Sequence, residues 1–218
     1  MKKTFILLLL VNATVWGQLR GSGTTVTKTF NYAQFDQIYL DDLDGNINIE
    51  VGKPHAISVT IDDNLLDLLA VEQGKKNDLK VYLKGNTNNR MYVEASHIKV
   101  VISLPNVALI HHFGNSRLEV TGLATENISV ENGQNANTSL KGISTNLIVI
   151  NKGNGNVEAN NLLVQKANIQ SRGNGNVDVN AAVELTAKAS GNSSIRNHGK
   201  ASFDSNSSKS GNARLTKV

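Results

Sequence analysis

Glu158, Asp178 and Arg196 stand 20 and 18 residues apart. In a chain that stacks one coil about every 20 residues, this spacing sets two carboxylates and a guanidinium on three successive strands, about 5 Å apart. Clustered carboxylates beside a basic residue are what a polysaccharide lyase or hydrolase uses to bind Ca²⁺ or exchange protons with a sugar. These three are the catalytic candidates of the chain. A second account is available, an outward column of charges in which Arg196 offsets Asp178. The sequence favours that account, because no third carboxylate joins the group, and it assigns no catalytic residue.

Other reactive types lack partners at useful spacing. Asp42-Leu43-Asp44-Gly45-Asn46 resembles a calcium loop, but its glycine is displaced and no glutamate follows at loop position twelve, so a turn is expected. His111 and His112 are neighbours on an expected strand and point to opposite faces, which keeps them from sharing a metal. His55, His97 and His198 have no partner spacing. With 0 cysteines there is no thiol chemistry, disulfide or Cys-ligated metal. No G-x-S-x-G, H-E-x-x-H, Walker or dinucleotide-binding motif occurs, and no cofactor or metal is expected. Aromatic residues make up only 5% of the chain, which argues against a stacking platform for sugars or bases.

The elements that would position the three candidates come from a repeat. Gly114-Asn115, Gly133-Gln134, Gly153-Asn154, Gly173-Asn174, Gly191-Asn192 and Gly211-Asn212 follow one another at intervals of 19, 20, 20, 18 and 20 residues. So short and regular a period marks a solenoid. Aligned on the glycine, the second position is always an amide, which predicts a ladder of side chains from coil to coil. The third is small, and the fifth reads Leu118, Asn137, Val157, Val177, Ile195 and Leu215, an inward column broken only by Asn137. The sixth, Glu119, Thr138, Glu158, Asp178, Arg196 and Thr216, faces out. Period-two segments such as Leu147–Ile150 lie between turns, and helical periodicity is missing. The expected fold is all-β, a right-handed parallel β-helix of about 20-residue coils.

Residues 1–17 read as a secretory signal, with Lys2 and Lys3 before the apolar run Phe5 to Val11 and a cut before Gln18. Seven apolar residues are too few to span a bilayer. Residues 18–218 are expected to form one β-helix domain, with irregular N-terminal coils over 18–113 and regular coils with a polar cap over 114–218. In the first part, strands are expected at Gln37–Leu40, Asn46–Val51, Ala56–Asp62, Leu79–Leu83, Met91–Glu94 and Ile98–Ile102, with a helical turn at Asn64–Leu69 capped by Asn64. Without Lys2 and Lys3, 20 of the 22 basic residues face 18 acidic ones, a balance that gives no reason to expect nucleic acid.

Phe35-Asp36-Gln37-Ile38, the Gly52 turn after Ile47–Val51, Asp63-Asn64-Leu65-Leu66, Leu79–Leu83, Ile102-Ser103-Leu104-Pro105 and the Gly-Asn-Gly-Asn-Val copies at 153 and 173 resemble the putative auto-transporter adhesin, head GIN domain family. The resemblance implies an exported protein of Bacteroidetes type with a β-helix-like fold and no established activity. The sequence departs from the pattern at Gly133 to Thr138. The functional expectation is a non-enzymatic structural or binding module of the cell envelope that takes a glycan or a cell-surface protein on a side face. The alternative is a polysaccharide lyase or hydrolase on the same scaffold.

Overall fold

A computed structural model describes residues 19–218, so the leader expected at 1–17 lies outside the described residues. Fifteen strands form one connected sheet. They are β1 (Thr25–Phe30), β2 (Gln37–Leu43), β3 (Gly45–Val51), β4 (Ala56–Asp62), β5 (Leu69–Gln73), β6 (Asp78–Leu83), β7 (Ile98–Leu104) and β8 (Leu109–Gly114), followed by β9 (Arg117–Gln134), β10 (Asn137–Gly153), β11 (Val157–Gly173), β12 (Asn176–Gly191), β13 (Ser194–Asn197), β14 (Ser208–Lys209) and β15 (Arg214–Lys217). From β9 to β12 each strand is a whole coil, paired in parallel with the coils before and after it. The protein is a β-solenoid of about 5 turns with coils of about 20 residues and a less regular N-terminal region.

Burial along β11 shows how a coil closes. Val157 and Ala159, then Leu162 and Val164, then Ala167, Ile169 and Ser171 point inward. Alternation fails at Asn160-Asn161, Gln165-Lys166 and Arg172-Gly173-Asn174, where successive residues face outward or nearly so. A strand that presents neighbouring residues to the same side has turned a corner, so each coil has three short faces. The apolar interior is one cluster from Phe35 to Ala213. It narrows toward the C-terminus: Val149, Ile169 and Ala187 share a column, and Ala181, Ala189, Ala201 and Ala213 line the last coils. The 18-residue interval arises on the second face, where Leu162-Leu163 of β11 has a shorter counterpart and Leu163 pairs with Asn180.

The glycine frame of the second coil is corrected by one residue. Gln134, not Gly133, pairs with Gly114 and with Gly153, and it takes the positive φ of that column at 58°. The amide ladder therefore runs through Asn135. Asn135 donates to Asn115 Oδ1 at 2.9 Å, Asn154 to Asn135 at 3.0 Å, Asn174 to Asn154 at 2.7 Å, Asn192 to Asn174 at 2.9 Å and Asn212 to Asn192 at 3.0 Å. The ladder lies along an exposed corner. In the same frame Thr138, not Asn137, occupies the inward column between Leu118 and Val157, and Ser139 faces out between Glu119 and Glu158.

The N-terminal part departs from a pure parallel helix. β3 and β7 pair in parallel, but β4 runs antiparallel to β7, β1 to β4 and β5 to β6. Of the expected strands, Met91–Glu94 is missing: Tyr92 sits at φ 45°, which no strand accommodates, and only Glu94 forms a bridge, to Arg20. The expected helical turn is a 3₁₀ turn over Asp63–Leu68. Asn64 does not cap it; its amide accepts from Ser22 N and donates to Arg20 O, tying down the segment before β1.

Candidate functional site

Register places Glu158, Asp178 and Arg196 side by side on β11, β12 and β13, as their spacing implies. Their chemistry is largely internal. Arg196 grips Asp178 with two parallel hydrogen bonds, Nε to Oδ1 at 2.7 Å and Nη2 to Oδ2 at 2.6 Å, and His198 Nε2 lies 2.8 Å from Oδ1. Burial pushes the Asp178 carboxyl up, but Arg196 and His198 outweigh it and hold the group below the usual carboxylate range. A carboxylate so held is a poor proton acceptor. Glu158 opens with Glu119 onto a depression of about 350 Å³, with Ser139 on the strand between them. They are thus two strand spacings apart, about 10 Å.

His111 and His112 do face opposite sides of β8. His112 heads a buried polar column with Asn132, Asn151 and Ser171 that sequence periodicity did not reveal. Asn132 donates to Ala136 O at 2.8 Å and to Asn151 Oδ1 at 2.9 Å, and Asn151 donates to Gly155 O at 2.9 Å. Each amide bridges its corner to the carbonyl four residues on. Thr138 gives its hydroxyl proton to Asn132 Oδ1 at 2.8 Å. His112 Nδ1, 2.7 Å from the same hydroxyl, must then carry the proton, and Nε2 accepts from Ser116 Oγ at 2.8 Å. Burial drives the His112 pKa down to about 4, so the ring is neutral. This column is fully buried and holds corners together.

The opposite flank is different. Outward residues of β6, β2 and β8 align as Lys80, Tyr39 and His111, and beside them as Tyr82, Asp41 and Phe113. His111 stacks on Phe113 with centroids 4.1 Å apart and planes 4° from parallel, and Tyr39 leans on His111 at 5.3 Å. Asp41 and Glu131 hold the two imidazole nitrogens at 3.2 Å each. Burial lowers the His111 pKa, yet the two carboxylates more than reverse this and raise it overall.

Next to this platform is a cleft of about 410 Å³, walled by Asp41, Asp42, Glu72, Tyr82, Asn88 and Phe113. Asp42, at φ 52°, accepts the Asn88 amide on Oδ2 at 2.7 Å, while its Oδ1 is shielded and has no donor. Few aromatics are present, but the stacking of coils gathers three of them, with His111, on one flank; residues 39, 82, 111 and 113 carry no linear signal for this. Asp42–Asn46, where a turn is expected, spans the junction of β2 and β3, and among the described residues no group of three or more His, Asp or Glu could hold a metal ion.

The family model described as "Putative auto-transporter adhesin, head GIN domain" matches residues 34–201. Among solved structures, a putative adhesin from Bacteroides fragilis is similar with a TM-score of 0.66 at 23% identity, over 92% of this chain and 100% of that one. A putative adhesin from Parabacteroides merdae gives 0.57 at 16%, over 92% and 98%. A putative lipid binding protein from Parabacteroides distasonis gives 0.52 at 18%, over 92% and 99%. These likenesses concern the fold. No curated protein matches the chain.

Proposed function

The chain belongs to the putative auto-transporter adhesin, head GIN domain family, and from that membership we propose that it is an exported, cofactor-free binding module of the cell envelope, adhesin-like and without enzymatic activity. Its partner is a glycan or a cell-surface protein, engaged on a side face of the solenoid. The observation that carries this reading is the flank cleft, where aromatic rings and carboxylates from β2, β5, β6 and β8 converge. Rigid stacked coils hold such groups in place without loop closure. Against the lyase or hydrolase alternative stands the state of Asp178, engaged by Arg196 and His198.

Labelled residues 18–218 incubated with bacterial and host cell surfaces should bind saturably and be displaced by unlabelled protein. The same protein should release no oligosaccharide from acidic polysaccharides, with or without Ca²⁺. Product release that disappears in Asp178→Ala would establish the enzyme instead, and absence of saturable binding would leave only a structural spacer.

A further inference from the structure

We infer that the flank cleft is a saccharide site, and that it takes an uncharged pyranose in preference to an acidic one; this rests on the binding-module reading. The charge of the walls selects the class. Asp41, Asp42 and Glu72 contribute carboxylates, and Lys80, the one cation lining the cleft among the described residues, is shared with Asp78 at 3.7 Å. A uronate, sialic acid or sulfated sugar would enter against this excess of negative charge and without an arginine to receive it. A sugar hydroxyl can donate to the exposed Glu72 carboxylate, which among the described residues accepts only from Tyr82, at 3.0 Å.

The aromatic side of the cleft matches the other half of a sugar. The C–H hydrogens on one face of a pyranose carry partial positive charge and settle on the electron-rich face of a ring. Phe113 lines the cleft and is fixed by stacking on His111, which Asp41 and Glu131 orient in turn. A platform whose rotamers are locked before binding loses little entropy on binding. A volume of about 410 Å³ admits one or two sugar rings and lies at the lower end of ordinary ligand sites.

The test is an array of neutral, amino-bearing and acidic oligosaccharides probed with residues 18–218, followed by calorimetric titration of the neutral hits against Phe113→Ala and Glu72→Gln. Neutral glycans should be retained and acidic ones not, and each variant should weaken the neutral hits at least about tenfold. The denaturation midpoint of Glu72→Gln, an exposed position, should stay unchanged, which separates loss of a contact from loss of the fold. Retention of acidic glycans alone, or neutral binding indifferent to both variants, overturns the saccharide assignment. Saturable binding to cells with no glycan retained overturns it too while leaving the binding module intact, whereas no binding to any surface removes both.

Discussion

Phe113 occupies the space that a side chain at residue 133 would need: a Cβ built on Gly133 would lie 2.5 Å from Phe113 Cε1. The two residues pair across β8 and β9. Gly133 therefore serves the aromatic platform and not the turn, whose left-handed position belongs to Gln134. A ring laid over a glycine is a known way to cover exposed backbone in a sheet, and here it also fixes one wall of the cleft.

Gly133→Ala should then displace a ring at modest cost, because a half-exposed phenyl can rotate away. A loss of about 1 kcal/mol is expected, together with loss of the His111 stacking contact. Gly175→Ala should be far worse, since its Cβ would meet the carbonyl oxygen of Gly155 at 1.9 Å and backbone of a packed coil cannot yield. A loss of more than about 3 kcal/mol follows from such overpacking. Urea denaturation of both variants checks the order, and a larger loss for Gly133→Ala would refute it.

Thr138 interrupts an apolar column between Leu118 and Val157, and repeat logic alone would replace it with valine. The hydrogen bonds say otherwise. Thr138→Val leaves Asn132 Oδ1 without a donor and His112 Nδ1–H without an acceptor, both fully buried. The expected result is a destabilisation of about 1 to 3 kcal/mol, the cost of orphaning buried polar groups, despite the gain in apolar character. An unchanged or higher denaturation midpoint would show that the polar column contributes nothing.

The shift at the second coil shows what a period can and cannot carry. Gly153, Gly173, Gly191 and Gly211 are legible because a left-handed corner selects glycine, and Val157, Val177 and Ile195 are legible because alternation is read directly. At 133–134 the glycine answers to Phe113 across the sheet and the corner falls on a glutamine, so a local motif match points one residue early. Aligning on Asn135 would have found the frame, since it makes the second column all asparagine and the third Ser116, Ala136, Gly155, Gly175, Ser193 and Ala213. The inner column His112, Asn132, Asn151 and Ser171 stayed hidden because the same residue types fill the exposed corners. The cleft stayed hidden because its walls come from strands separated by long stretches of chain.

Gln134→Gly supplies the residue that the corner asks for. Gln134 holds φ 58° in a column otherwise made of glycines, and a non-glycine residue there is strained by about 1 kcal/mol or more. Against this stands the greater freedom of glycine in the unfolded chain. The balance predicts a stabilisation of up to about 1 kcal/mol, read as a higher urea midpoint with an unchanged slope. A destabilised variant would mean that the glutamine side chain makes a compensating contact at the rim of the cleft.

Acid should loosen the solenoid through His112. Its folded pKa of about 4 lies below the ordinary 6.5, so between those values the unfolded chain binds a proton that the native ring refuses. Stability is complete above about pH 6.5, falls as the pH drops, and levels out below about 4, with a total loss of about 3 kcal/mol. Other groups act in different directions or windows. His111, raised by Asp41 and Glu131, favours the folded state more as the pH falls, and Asp178, lowered by Arg196 and His198, adds its loss only under stronger acid. His112→Asn isolates the contribution of the imidazole, because asparagine is what the column already carries at 132 and 151 and has no proton to gain. Denaturation curves between pH 7 and 4 should fall more steeply for the native sequence than for His112→Asn. Parallel curves would mean that the buried imidazole is not what makes the fold sensitive to acid.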